Sequence, residues 1–253
     1  MTSIEGGVSF RRVLRAEWTK LSSVNWTVLI ALPVVFSALS GWIGHTNHAR
    51  PTNPTLAVGG GFMLFSIAIG VFGLTMMTSE FHSGVIRATF TAVPHRLPVL
   101  WAKAVVLVCV SLPSLVVAYF GAFLAYQAFT DASLRISLGD PGIIRALLGA
   151  VAATVAAGLL ALGIGTALRS TAGAISVYVL GLVVLPSVLL SLVPASFQTV
   201  LLPYFPTLAL QGMFQVTDPG TAMFSPAVSS VVVLGWVILM LAGAAALLRR
   251  RDV

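Results

Sequence analysis

Ser79 to Arg96, SEFHSGVIRATFTAVPHR, holds one carboxylate, two histidines and two arginines in a chain whose charged residues amount to 8%. Residues of these types can exchange protons, ligate a metal or meet a charged partner surface. Their spacing narrows the choice. The chain has no Cys/His cluster at metal-ligand spacing, and its single cysteine, Cys109, lies inside an apolar run where a small packing residue is expected. It has no H-E-x-x-H, no G-x-S-x-G and no carboxylates paired at helical spacing, which disfavours catalysis. A G-x-x-x-x-G-K-[ST] phosphate loop is also missing, so ATP is not bound in that way. A partner surface remains. From Glu80 onward, Phe81, Val85, Ala88 and Ala92 form an apolar stripe, Glu80 and Arg87 share another face, and Pro94 stops a helix near Val93. The pattern predicts an amphipathic helix over Ser79–Val93, apolar side on the membrane and charged side to the cytoplasm. A surface helix that only anchors its neighbours has the same pattern.

The elements that must hold this segment are set by hydrophobicity. Apolar residues make up 58% of the 253 residues, and a soluble domain carries about 25% charged residues, so no aqueous surface could be covered here. A single all-α transmembrane domain over 1–253 is expected. A span needs roughly 20 apolar residues, and six stretches qualify: 24–44, 57–78, 100–126, 146–168, 173–193 and 228–248. Each must be helical, because lipid offers no partner to an open backbone group. The first follows a basic segment as a secretory signal would, but its apolar run is long and FSALSG is a poor cleavage site, so it reads as a span.

Eleven of the fourteen lysines and arginines fall on one side of these spans, leaving Arg50, Arg135 and Arg145 on the other. That asymmetry places both termini and the 79–96 segment in the cytoplasm of a multi-pass protein of the cytoplasmic membrane. The net charge of +7 is then accounted for by topology and anionic lipid. No basic patch interleaved with aromatics points to nucleic acid.

Residues 1–23 predict an interfacial helix. Phe10, Val13, Leu14, Trp18 and Leu21 recur at helical spacing, with Arg11, Arg12, Arg15 and Lys20 mostly off that stripe. Residues 196–217, apolar but broken by Pro203 and Pro206, read as short interfacial or re-entrant helices with Tyr204, Phe205 and Phe214 at headgroup level, or as an ordinary outer loop. On the fourth span Gly149, Ala153, Ala157, Ala161 and Gly165 recur every fourth residue and form a smooth ridge, for static packing within the subunit or for a sliding or dimer surface. Pro33, Pro113 and Pro186 lie inside spans, where each removes a backbone hydrogen bond and favours a bend. No ionisable residue lies deep in a span, and Lys103 is expected to snorkel to the cytoplasmic face. A proton- or sodium-driven carrier is disfavoured, and any energy must come from a partner.

This order of parts resembles the permease subunit of type-2 ABC exporters, most of all the small actinobacterial permeases of antibiotic resistance and peptide immunity. AEWTKLSSVNWTVL is similar to their entry signature, and SEFHSGVIRATFTAVPHRLPVLWAK to their Glu-aromatic-x-x-Gly block with its following Pro-x-Arg and Lys. By matching position Glu80 is the acidic residue of the block, Phe81 its aromatic, Gly84 its glycine and Arg96 the basic residue after the proline. His82 departs from a frequent arginine and Val85 from a frequent threonine, which leaves the charge pattern of the contact open. The resemblance implies that 79–93, with Arg87, is a coupling helix seated on a separate ABC ATPase. That ATPase binds ATP and Mg, and this chain carries no cofactor. It also implies a second permease, with a homodimer expected, and an antibiotic, peptide or lipid as cargo. A membrane scaffold that transports nothing is the competing expectation.

Overall fold

The computed structural model describes residues 10–21, 54–86, 97–192, 200–216 and 224–250, with a few isolated positions besides. All regular elements among them are helical. They are α1 (Phe10–Leu21), α2 (Pro54–Gly59), α3 (Phe62–Ser83), α4 (Leu97–Ala128), α5 (Ile143–Leu168), α6 (Thr171–Val179), α7 (Leu185–Leu192), α8 (Pro206–Gly212) and α9 (Pro226–Arg250). A π-helical segment, Leu180–Val184, joins α6 to α7.

Four stretches are long and apolar enough to cross a bilayer: Ala57–Ser83, Leu97–Ala128, Ile143–Leu168 and Pro226–Arg250. They contain the second, third, fourth and sixth expected spans and run past them, because a helix continues until its backbone is capped, wherever the apolar run ends. The first expected span, 24–44, falls almost wholly outside the described residues. The fifth corresponds to Thr171–Leu192, where the helical register changes midway.

The register change has a local cause. The Leu185 N–H bonds the carbonyl of Leu180, five residues back. In that spacing Gly181 would accept from residue 186, which is a proline and has no N–H to give. The Gly181 carbonyl instead accepts from the Thr207 hydroxyl of α8 at 3.4 Å, a long bond. Pro113, by contrast, is carried inside an uninterrupted α4.

α5 is the central helix and packs against α2, α3, α4, α6, α8 and α9. Its approach to α3 is set by glycine. A Cβ at Gly73 would strike the Gly158 carbonyl oxygen, and one at Gly165 would lie 2.7 Å from the Leu74 carbonyl oxygen. The ridge residues Ala153, Ala157 and Ala161 are fully buried. Gly149 abuts the backbone of Met213 and Gly165 that of Leu74, so the ridge is occupied by this chain's own helices. Two interior tyrosines find partners: Tyr119 is bonded to Thr154 at 2.7 Å. Thr154 spends its own proton on the Ala150 carbonyl, which makes the tyrosine the donor. Tyr178 donates to the Ser66 carbonyl at 2.7 Å.

At the other end of the bundle the chain after α7 folds inward. α8 buries Thr207, Leu208, Ala209 and Leu210, and Phe214 packs on the Phe62 ring with centroids 4.9 Å apart. Phe214 was expected at headgroup level, but it fills the space left by Gly59 and is buried. Tyr204 does stay exposed, and its carbonyl accepts from the Trp236 indole at 2.8 Å. Cys109 is exposed, not an interior packing residue.

Candidate functional site

The expected helix over Ser79–Val93 does not begin at Ser79. Ser79–Ser83 are the last turn of α3, which ends at Gly84 in the left-handed conformation, φ 72°. Glycine reaches this region without strain, and the αL cap turns the chain out of the helix. Val85 and Ile86 are again helical, with Val85 exposed and Ile86 buried. Arg87, Arg96 and most residues between them lie outside the described residues.

Glu80 therefore points where the last turn of a spanning helix points, into the bundle. It was expected to face the cytoplasm, yet it is only 7% exposed. Its Oε1 accepts from the Lys103 ammonium at 2.7 Å, and the same ammonium reaches Oε2 of Glu17 at 2.7 Å. Lys103 is 1% exposed, so it does not snorkel. Two carboxylates on separate elements have drawn it inward. One positive and two negative groups, all buried, thus join α1, α3 and α4.

The local sequence explains each placement. On α1 the inward face carries Val13, Leu14 and Glu17, the first and last one helical turn apart. Phe10 and Trp18, expected on one apolar stripe with Val13, lie on the protein surface, 45% and 52% exposed, while Val13 is buried against the bundle. Lys103 lies between Ala102 and Ala104 on α4, and all three are buried. Charge-assisted bonds of this length are the stronger class of hydrogen bond. In a poorly solvated setting an ion pair of this kind is costly to form and more costly to break on one side only.

Beside the triad, Phe81 is half-buried beneath the Arg169 guanidinium, 5.0 Å from the ring centroid. Arg169 caps α5 with φ 55°, a conformation uncommon outside glycine, and its N–H bonds the Gly165 carbonyl at 3.0 Å. The next residue, Ser170, caps α6 by accepting from the Gly173 N–H. Thr171 then donates to Thr78 at 2.9 Å, so the α5–α6 turn is fastened to the final turns of α3. Five helices, α1, α3, α4, α5 and α6, meet around Glu80 and Phe81.

Of the residues singled out from sequence, Glu80, Phe81 and Gly84 belong to this cluster. Gly149, Ala153, Ala157, Ala161 and Gly165 line the core of α5 instead. Glu17 and Arg169 were missed as site residues. Glu17 had a signal, since it is the one acidic residue among Phe10–Leu21 and shares a face with Val13. Arg169 had none beyond its place in a short turn. Among the described residues no three His, Cys, Asp or Glu side chains gather as a metal site would require. No protein-family model matches the chain, and none of the curated proteins does.

Proposed function

We propose that the chain is the membrane permease subunit of an ATP-driven exporter. It would carry an amphipathic or hydrophobic solute such as an antibiotic, a peptide or a lipid. In this reading the bundle has six spans with both termini in the cytoplasm, and 196–217 forms the re-entrant outer segment. The chain itself hydrolyses nothing. ATP and Mg are handled by a separate ABC ATPase, and two permease chains complete the assembly.

The observation that carries the reading is the position of Glu80. It is the acidic residue of the block that resembles the exporter permeases, and it is ionically joined to the entry helix through Lys103. A segment pushed from the cytoplasm at residues 84–96 would thereby move α1, α3 and α4 together. The exposed Val85 lies just beyond the Gly84 cap, where a partner can reach it.

The test is co-expression with the ABC ATPase encoded nearest to this chain, co-purification, and ATPase assay with candidate cargoes. Association together with cargo-stimulated hydrolysis is expected. A chain that co-purifies with no ATPase, or hydrolysis indifferent to every cargo, would favour the scaffold.

A further inference from the structure

The Glu17–Lys103 bond fixes more than the position of α1: it fixes the rotation of α1 about its own axis. With Glu17 turned to α4, the residues roughly 140–160° round the helix are directed away from the bundle. They are Arg12, Arg15 and Thr19, and with Ala16 they line an open cleft of about 530 Å³. Arg12 and Arg15 are exposed, and no carboxylate is among the described residues lining the cleft. Thr19 turns its hydroxyl proton back to the Arg15 carbonyl at 3.0 Å, so the two guanidiniums are the donors offered outward. Trp18, 52% exposed, flanks Arg15 one turn away.

The level of the cleft follows from helix lengths. α4 has 32 residues and is about 48 Å long, against about 30 Å of hydrocarbon. Centred in a bilayer, it extends about 9 Å into the headgroup layer at each end. Lys103 is the seventh residue of α4, about 9 Å from its start. The partner of Lys103, α1, therefore lies at the boundary between hydrocarbon and headgroups, where an exposed tryptophan is also at its most favourable.

We propose that Arg12 and Arg15 form a binding site for the phosphate of an anionic phospholipid headgroup, held outward by the buried Glu17–Lys103 bond. The site rests on the membrane-spanning reading of the chain and not on export. Two guanidiniums three residues apart can clamp one phosphate through charge-assisted bonds, while Trp18 packs on the adjoining glycerol and acyl chain.

The full-length chain in detergent is titrated with phosphatidylglycerol, and bound lipid is counted by native mass spectrometry. Arg12→Gln/Arg15→Gln should weaken binding at least tenfold, and phosphatidylcholine should not compete. Arg249→Gln/Arg250→Gln removes the same charge from the end of α9 and should change binding less than twofold. Because Arg12 and Arg15 are exposed, each single glutamine variant should fold and lose about threefold. Equal binding by the double variant, or an equal loss in the α9 control, would overturn the site. Displacement of the lipid by millimolar inorganic phosphate would make free phosphate the ligand and overturn it as well. Unchanged lipid binding with lost ATPase co-purification would assign the face to the ATPase. None of these lipid readings depends on whether an ATPase associates, so a failed exporter assay leaves the site standing.

Discussion

Lys103→Met leaves the shape of the α1–α4 contact nearly intact but removes the ammonium that Glu17 and Glu80 share. Both carboxylate oxygens are 2.7 Å from Nζ in the folded chain, so they are at most about 5.4 Å apart. At an effective dielectric constant of about 20, two like charges at that distance repel by about 3 kcal/mol. That agrees with the roughly 3–5 kcal/mol lost when one partner of a buried pair is deleted. The single variant should therefore melt several degrees below the parent when detergent-solubilised chain is followed by scanning fluorimetry. The neutral triple variant, Glu17→Gln/Glu80→Gln/Lys103→Met, removes all three charges of the cluster and should regain most of that stability, since replacing a whole ionic cluster is often neutral. If the triad also transmits movement, the triple variant will be stable and yet deficient in cargo-stimulated ATPase activity. A single variant as stable as the parent, or a triple variant no better than the single, would refute the reasoning that these charges are buried and mutually dependent.

Ala157→Leu, at a position with no exposure, should overpack the α3–α5 core and cost about 1–3 kcal/mol. Gly235→Leu on α9, where an added Cβ meets nothing within 4 Å, should leave detergent stability unchanged. Gly84→Ala should cost about 1 kcal/mol in thermal stability although nothing lies within 4 Å of the new methyl, because the loss comes from φ 72° and not from contact. Gly84→Asn should lose less. In a Cys109→Ser background, a cysteine at 218 should react with an impermeant reagent in intact cells before a cysteine at 169. The opposite order would invert the proposed topology.

The helical class and the membrane character were legible in the sequence because both are local. An unbroken run such as that of α5 leaves its backbone no other partner than itself, whatever surrounds it. The weight on Glu80, Phe81 and Gly84 also came from a local block, and these three do lie together at the end of α3. What the block could not give was direction. The apolar stripe from Phe81 to Ala92 assumed one helix through Gly84, whereas an αL residue there ends α3 and leaves Glu80 on the inner face of its last turn. The sequence presents Lys103 as one charge in an apolar stretch, for which reaching water is the cheapest solution when it has no counter-charge. Its counter-charges are 86 and 23 residues away in the chain, and only the packing of α1 and α3 against α4 brings them within 2.7 Å. The small-residue ridge has the same history: spacing along α5 defined a smooth face, but spacing is the same for a lipid, a second chain or this chain's own α3. Which of them covers Gly165 is decided where two backbones approach too closely for a Cβ, and that distance is a property of the folded bundle alone.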